Sequence, residues 1–137
     1  IHSVDSVKLA AELDKWAGRA GKTQPILLEV NVSAEASKFG LKPDAIPSAL
    51  ETINALTRLE VRGFMTIAPY AEDSGKARPH FRRLRELRDA VETKQGLALP
   101  ELSMGMTGDF EVAIEEGATM VRIGTAIFGE RRQDETD

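Results

Sequence analysis

The sequence contains no cysteine, which excludes disulfide staples and thiolate metal sites and agrees with a reducing, cytoplasmic compartment. Its two histidines, His2 and His80, lie far apart without ligand spacing, so no histidine metal site and no Ser/His/Asp triad is expected. It has no basic excess. Eighteen Lys and Arg face 22 Asp and Glu, a net charge of -4, whereas a nucleic-acid binder needs a basic footprint. No apolar run approaches the ~20 residues that span a bilayer. The start, Ile1-His2-Ser3-Val4-Asp5, has neither the basic residues nor the apolar stretch of a signal peptide. A Gly-rich dinucleotide loop and a P-loop are both missing, as are internal repeats and low-complexity stretches.

What is present is a globular composition, 42% hydrophobic and 29% charged over 137 residues. That length suits one domain, which can bury about 70% of its unfolded surface. Strand-like and helix-like segments alternate. Ile1 to Val4 is β-favouring, and Asp5-Ser6 offers a cap for a helix carrying Val7, Ala10, Leu13 and Ala17. Ile26 to Val32 is a short, branched apolar run of the kind buried on both faces of a parallel sheet. After a polar loop, Ile46, Leu50, Ile53 and Leu56 recur at helical spacing with Asp44 as the expected cap. Val61 to Ile67 is strand-like, Phe81, Leu84, Leu87 and Val91 are helical, and Gly96 with Pro100 ends that helix. Leu102 to Met106 and Met120 to Gly124 are the last strands, separated by a brief helix that Thr107-Gly108-Asp109 is expected to cap.

About five strands with intervening helices and no hairpin signal imply a parallel sheet. A doubly wound sheet and part of a (β/α)₈ barrel both fit, and the density of strands matches a barrel of about 250 residues.

In either fold, chemistry gathers at the C-terminal ends of the strands. Two such ends stand out. Thr107 can cap a helix or donate to a phosphate oxygen, and Gly124-Thr125 can form a turn or let backbone N–H groups approach an oxyanion. Spacing alone leaves both pairs of readings open. Arg122 is a lone charge inside a strand. It either meets an anionic partner or snorkels at a sheet edge. The arginines at 82, 85 and 88 each have an acid four residues on, Glu86, Asp89 and Glu92. That pattern predicts a solvated helix face rather than a nucleic-acid patch. No lysine ends a convincing strand. Lys38 falls in a loop.

At these motifs the sequence resembles the pyridoxal phosphate homeostasis proteins. The matching stretches are Ile1 to Ser6, Glu29 to Val32, Lys38 to Gly40, Gly63 to Ile67, Leu102 to Asp109 and Val121 to Gly129. The resemblance implies a (β/α)₈ barrel of the alanine racemase N-terminal-domain type, with residues 1–129 forming its last five strands and 130–137 a charged tail. It implies pyridoxal 5'-phosphate (PLP) as cofactor, held in that family through a Schiff base to a lysine near the first strand. Thr107, Gly124 and Thr125 would hold the phosphate. Arg122 would approach the pyridine nitrogen, and Ser103, Met104, Gly105 and Met106 would line the same wall. No lysine here takes the Schiff-base role, so the chain is expected to be the C-terminal part of a longer protein. Self-association through open barrel edges is expected if it stands alone.

The function so implied is PLP binding and vitamin B6 homeostasis, without catalysis, metal, nucleic acid or membrane. The alternative is a racemase or aldolase on the same barrel. A racemase resembles a two-base device whose second base is a Tyr from an added domain, and the single Tyr70 offers no such base. A third reading is a phosphate-binding barrel without PLP, or an interaction module.

Overall fold

The computed structural model describes residues 1–36 and 39–131. Lys38 and residues 132–137 of the expected charged tail lie outside the described residues. Among the described residues four strands form one parallel sheet: β1 (Gln24–Glu29), β2 (Leu59–Met65), β3 (Glu101–Met106) and β4 (Met120–Arg122). Their order across the sheet is their order along the chain. The α-helices are α1 (Val7–Arg19) before β1, α2 (Ile46–Asn54), α3 (Arg78–Gln95) and α4 (Phe110–Glu115) between successive strands, and the single turn α5 (Thr125–Phe128) after β4.

The strict order decides between the two architectures that the alternation allowed. A doubly wound sheet reverses its strand order at a switch point and carries helices on both faces. Here Ile26, Leu28, Phe64, Leu102 and Met104 from the strands share one buried cluster with helical residues. Ala10, Ile46, Leu50 and Ile53 of α1 and α2, Phe81 and Leu84 of α3, and Ala113 of α4 complete it. Leu27, Glu29, Met65 and Ser103 alternate with the strand members of that cluster and belong to the opposite face. Strands in sequence with helices on one face are a segment of a (β/α) barrel.

Of the five expected strands, the first is reduced to one bridge between Val4 and Leu28. Backbone bonds from Leu27 N to Ile1 O and from Glu29 N to Val4 O hold it to β1. The run cannot extend, because Ser6 immediately caps α1, its hydroxyl accepting from Leu9 N at 3.1 Å. The second strand stops at Glu29 rather than Val32, since Val30 pairs instead with Leu41 across the closed loop. Asp44 does not cap α2. It sits inside a 3₁₀ turn, Pro43–Ala45, that runs directly into the helix with no side-chain cap. Gly96 ends α3 with φ 65°, as its position after the last apolar residue implies.

Two glycines are dictated by close approach. A Cβ on Gly63 would stand 1.8 Å from the Glu101 carbonyl oxygen, where the register between β1 and β2 shifts. At Gly105, with φ +99°, a Cβ would lie 2.6 Å from the Ala113 Cβ and 2.9 Å from Phe110 Cα. Gly105 therefore lets α4 sit against β3 immediately before the loop that carries Thr107.

Behind this loop, α3 and α4 are tied by ions. Glu116, 4% exposed, accepts from Arg78 Nη1 at 3.1 Å and from Arg82 Nη2 at 3.0 Å. Arg85 Nη1 reaches it at 3.3 Å and also donates to the Glu116 carbonyl. Of the three expected pairs along α3, Arg88–Glu92 forms, at 3.7 Å. Arg82 and Arg85 turn instead to the buried carboxylate, which offers a lower-dielectric partner than an exposed acid on the same helix.

Candidate functional site

The C-terminal ends of β2, β3 and β4 open onto a cavity of about 820 Å³. Ile67, Pro69 and Tyr70 line it after β2, Met106, Thr107 and Asp109 after β3, and Gly124, Thr125 and Phe128 after β4. The residues after β3 and β4 come together because those strands are paired neighbours. Asp109 tightens the β3 turn by accepting from Met106 N at 2.8 Å.

Thr107 is not the cap of α4. That helix has Asp109 at its N-cap position and no side-chain cap bond. The Thr107 hydroxyl instead faces the next loop, with Ala126 N 3.4 Å from its oxygen. The first N–H groups of a helical turn have no intrahelical acceptor; here Ala126 N is met by Thr107, while Gly124 and the hydroxyl residues Thr107 and Thr125 line the cavity. A Cβ built on Gly124 meets nothing within 4 Å. The space in front of that backbone is open, and a side chain would occupy it. Hydroxyls, N–H groups and bare backbone are a donor set matched to a phosphate-sized anion.

Arg122 ends β4 and is half-buried. It does not snorkel from a sheet edge. Its Nη1 donates to the Ser103 hydroxyl at 2.6 Å and its Nη2 to the Thr66 carbonyl at 2.9 Å. Burial lowers its pKa, while Glu29 and Asp109 oppose that shift, and the guanidinium stays cationic. Glu29 is buried on the same face. Burial and then Asp5 push its carboxyl above the usual range, and Arg122 pulls it down. The Thr66 hydroxyl is buried and donates to the Val30 carbonyl at 2.7 Å, which holds the end of β2 against the loop after β1.

The eight residues singled out from the sequence thus divide. Met106, Thr107, Gly124 and Thr125 line the cavity. Ser103 and Arg122 form a bonded pair on the sheet's open face. The Met104 side chain is fully buried in the helix-side cluster, so it packs rather than lines the wall. Gly105 serves the contact with α4. Sequence reasoning passed over His2, whose Nδ1 is 2.8 Å from the Ser103 hydroxyl oxygen. The available signal was the one used for Arg122, a lone polar residue in a strand-like run. Among the described residues no cluster of acids and histidines could hold a metal, and no helix is long and apolar enough to cross a membrane.

The family model "Alanine racemase, N-terminal domain" matches residues 1–132. The chain is 51% identical to the pyridoxal phosphate homeostasis protein of Aquifex aeolicus, over 96% of this chain and 58% of that protein. It is 43% identical to the protein of the same name in Pseudomonas aeruginosa, covering 96% and 55%. The solved structure of PipY from Synechococcus elongatus with PLP bound superposes with a TM-score of 0.83 at 34% identity, covering 94% of this chain and 60% of that one. The chain spans little more than half the length of the curated relatives it matches.

Proposed function

The chain belongs to the alanine racemase N-terminal domain family, and we propose that it supplies the phosphate-holding side of a PLP site in a vitamin B6 homeostasis protein. The cavity where Thr107, Gly124 and Thr125 meet carries this reading, because a dianionic phosphate needs several donors and a bare backbone to approach. In it the Thr107 and Thr125 hydroxyls and the first N–H groups after Gly124 hold the phosphate. Arg122, fixed by Ser103 and Thr66, faces the pyridine nitrogen. When bound, PLP supplies an electron-withdrawing pyridine ring. A cation at the ring nitrogen keeps that nitrogen unprotonated and weakens the withdrawal, which suits a carrier more than a catalyst.

The names of the Aquifex and Pseudomonas relatives and the PLP in PipY support the cofactor. They also favour homeostasis over the racemase or aldolase alternative. Tyr70 is 91% exposed, which gives it no fixed position as a second base. The compartment in this reading is the cytoplasm.

The test is a PLP titration of the full-length protein followed by absorbance, with mass mapping after borohydride reduction. Saturable binding that Thr107→Ala weakens supports the site. Absence of saturable binding contradicts it.

A further inference from the structure

Ser103 is fully buried, and among the described residues its hydroxyl oxygen has two side-chain partners. One is Arg122 Nη1 at 2.6 Å, which can only donate. The hydroxyl oxygen must therefore accept there, and its own proton needs another acceptor. At 2.8 Å, His2 Nδ1 is that acceptor, provided it carries no proton. The proton order is then set: Arg122 donates to Ser103, and Ser103 donates to His2.

We propose that His2 is a positioning residue for the cofactor ring, acting through Ser103 to hold the Arg122 guanidinium where it meets the pyridine nitrogen. This rests on the PLP reading of the site. The relay fits its surroundings. Protonating His2 would leave the buried Ser103 proton without an acceptor and would place a second cation beside Arg122. The charged side chains facing His2 are Arg122 and Glu101, and Arg62 lines the same cleft. Burial is the largest cause lowering the His2 pKa below 6.5, Arg122 adds to it, and Glu101 opposes them. At neutral pH the ring is uncharged and able to accept. As pH falls through the lowered His2 pKa, His2 turns from acceptor to donor, the Ser103 hydroxyl reorients with its proton unpartnered, and its hold on Arg122 Nη1 weakens while Thr66 still holds Nη2.

The experiment compares the full-length wild-type protein with His2→Phe, His2→Asn and Ser103→Ala. It reads the absorbance maximum of bound PLP, the PLP affinity across pH, and displacement by inorganic phosphate. The wild type should show a pH-dependent change in the bound spectrum below pH 6.5. His2→Phe and Ser103→Ala should abolish that change and weaken PLP about tenfold. His2→Asn, whose amide oxygen can accept from Ser103, should restore the neutral-pH spectrum but not the pH dependence. Inorganic phosphate should bind all four alike, because the phosphate donors lie outside the relay. Unchanged spectra and pH profiles in both His2→Phe and Ser103→Ala would overturn the relay while leaving the PLP site standing. Failure of the wild type to bind PLP would overturn both. Ser103→Ala, the smaller change, keeps the proposal testable if His2→Phe does not fold.

Discussion

Arg82 Nη2 stands 3.0 Å from the Glu116 carboxylate, a bond that joins the second turn of α3 to the residue closing α4. Arg82 hydrogen bonding is the largest cause holding the Glu116 carboxyl below its ordinary range, with Arg78 and Arg85 adding to it and burial opposing. The folded pKa lies below the unfolded one, so the contribution is complete above about 4.5 and is lost as pH falls through the folded value. Glu116→Gln should therefore lower the Tm at neutral pH by a few degrees, the effect being limited by solvent screening of the half-exposed arginines. It should also flatten the Tm profile below about pH 4.5. Thermal melts across pH measure both, and a wild-type profile matching that of the variant would contradict the account.

The contact between β3 and α4 depends on Gly105. Gly105→Ala forces a Cβ to 2.6 Å from Ala113 at a φ of +99°. The strain and overpacking should cost about 3 kcal/mol in urea unfolding. Gly108→Ala, three residues on, meets nothing within 4 Å and should cost under about 0.5 kcal/mol. Equal losses would mean that α4 does not rest on Gly105.

Thr107 separates a binding role from a capping one. It makes no cap bond to α4, so Thr107→Ala should leave the Tm nearly unchanged. The same substitution should weaken PLP by about 1.5–3 kcal/mol through loss of a charge-assisted phosphate contact, and Thr107→Ser should recover most of it. A lower Tm with unchanged PLP affinity would restore the capping reading.

Gly124 makes the same separation by adding atoms. A Cβ there clashes with nothing in the protein, so Gly124→Ala should fold normally. It should nonetheless weaken both PLP and inorganic phosphate, since the methyl group occupies the space in front of the turn. Calorimetry with inorganic phosphate reads this directly, and undiminished binding would move the phosphate elsewhere.

The parts of the fold legible in the sequence were those written in local chemistry. Ser6 announces α1 and Gly96 ends α3, each through a bond made within a few residues. That Thr107, Gly124 and Thr125 follow strands was legible, and the structure has them line one cavity, but spacing alone left phosphate binding and cap or turn chemistry equally open. What stayed hidden depends on distant partners. The spacing on α3 pairs Arg82 with Glu86, yet the chain brings Glu116 across from 34 residues away. Likewise, Ser103 joins His2 over a separation of 101 residues, and no local pattern encodes that contact. Met104 sits among site residues in the sequence but alternates onto the helix side.

The central claim is that this end of the sheet grips PLP at both the phosphate and the ring. The most direct measurement is displacement of bound PLP from the full-length protein by pyridoxine 5'-phosphate and, separately, by inorganic phosphate. The account predicts that pyridoxine 5'-phosphate displaces PLP at far lower concentration, because it keeps the ring that Arg122 meets. Equal competition by the two would contradict it and reduce the site to a generic phosphate cup.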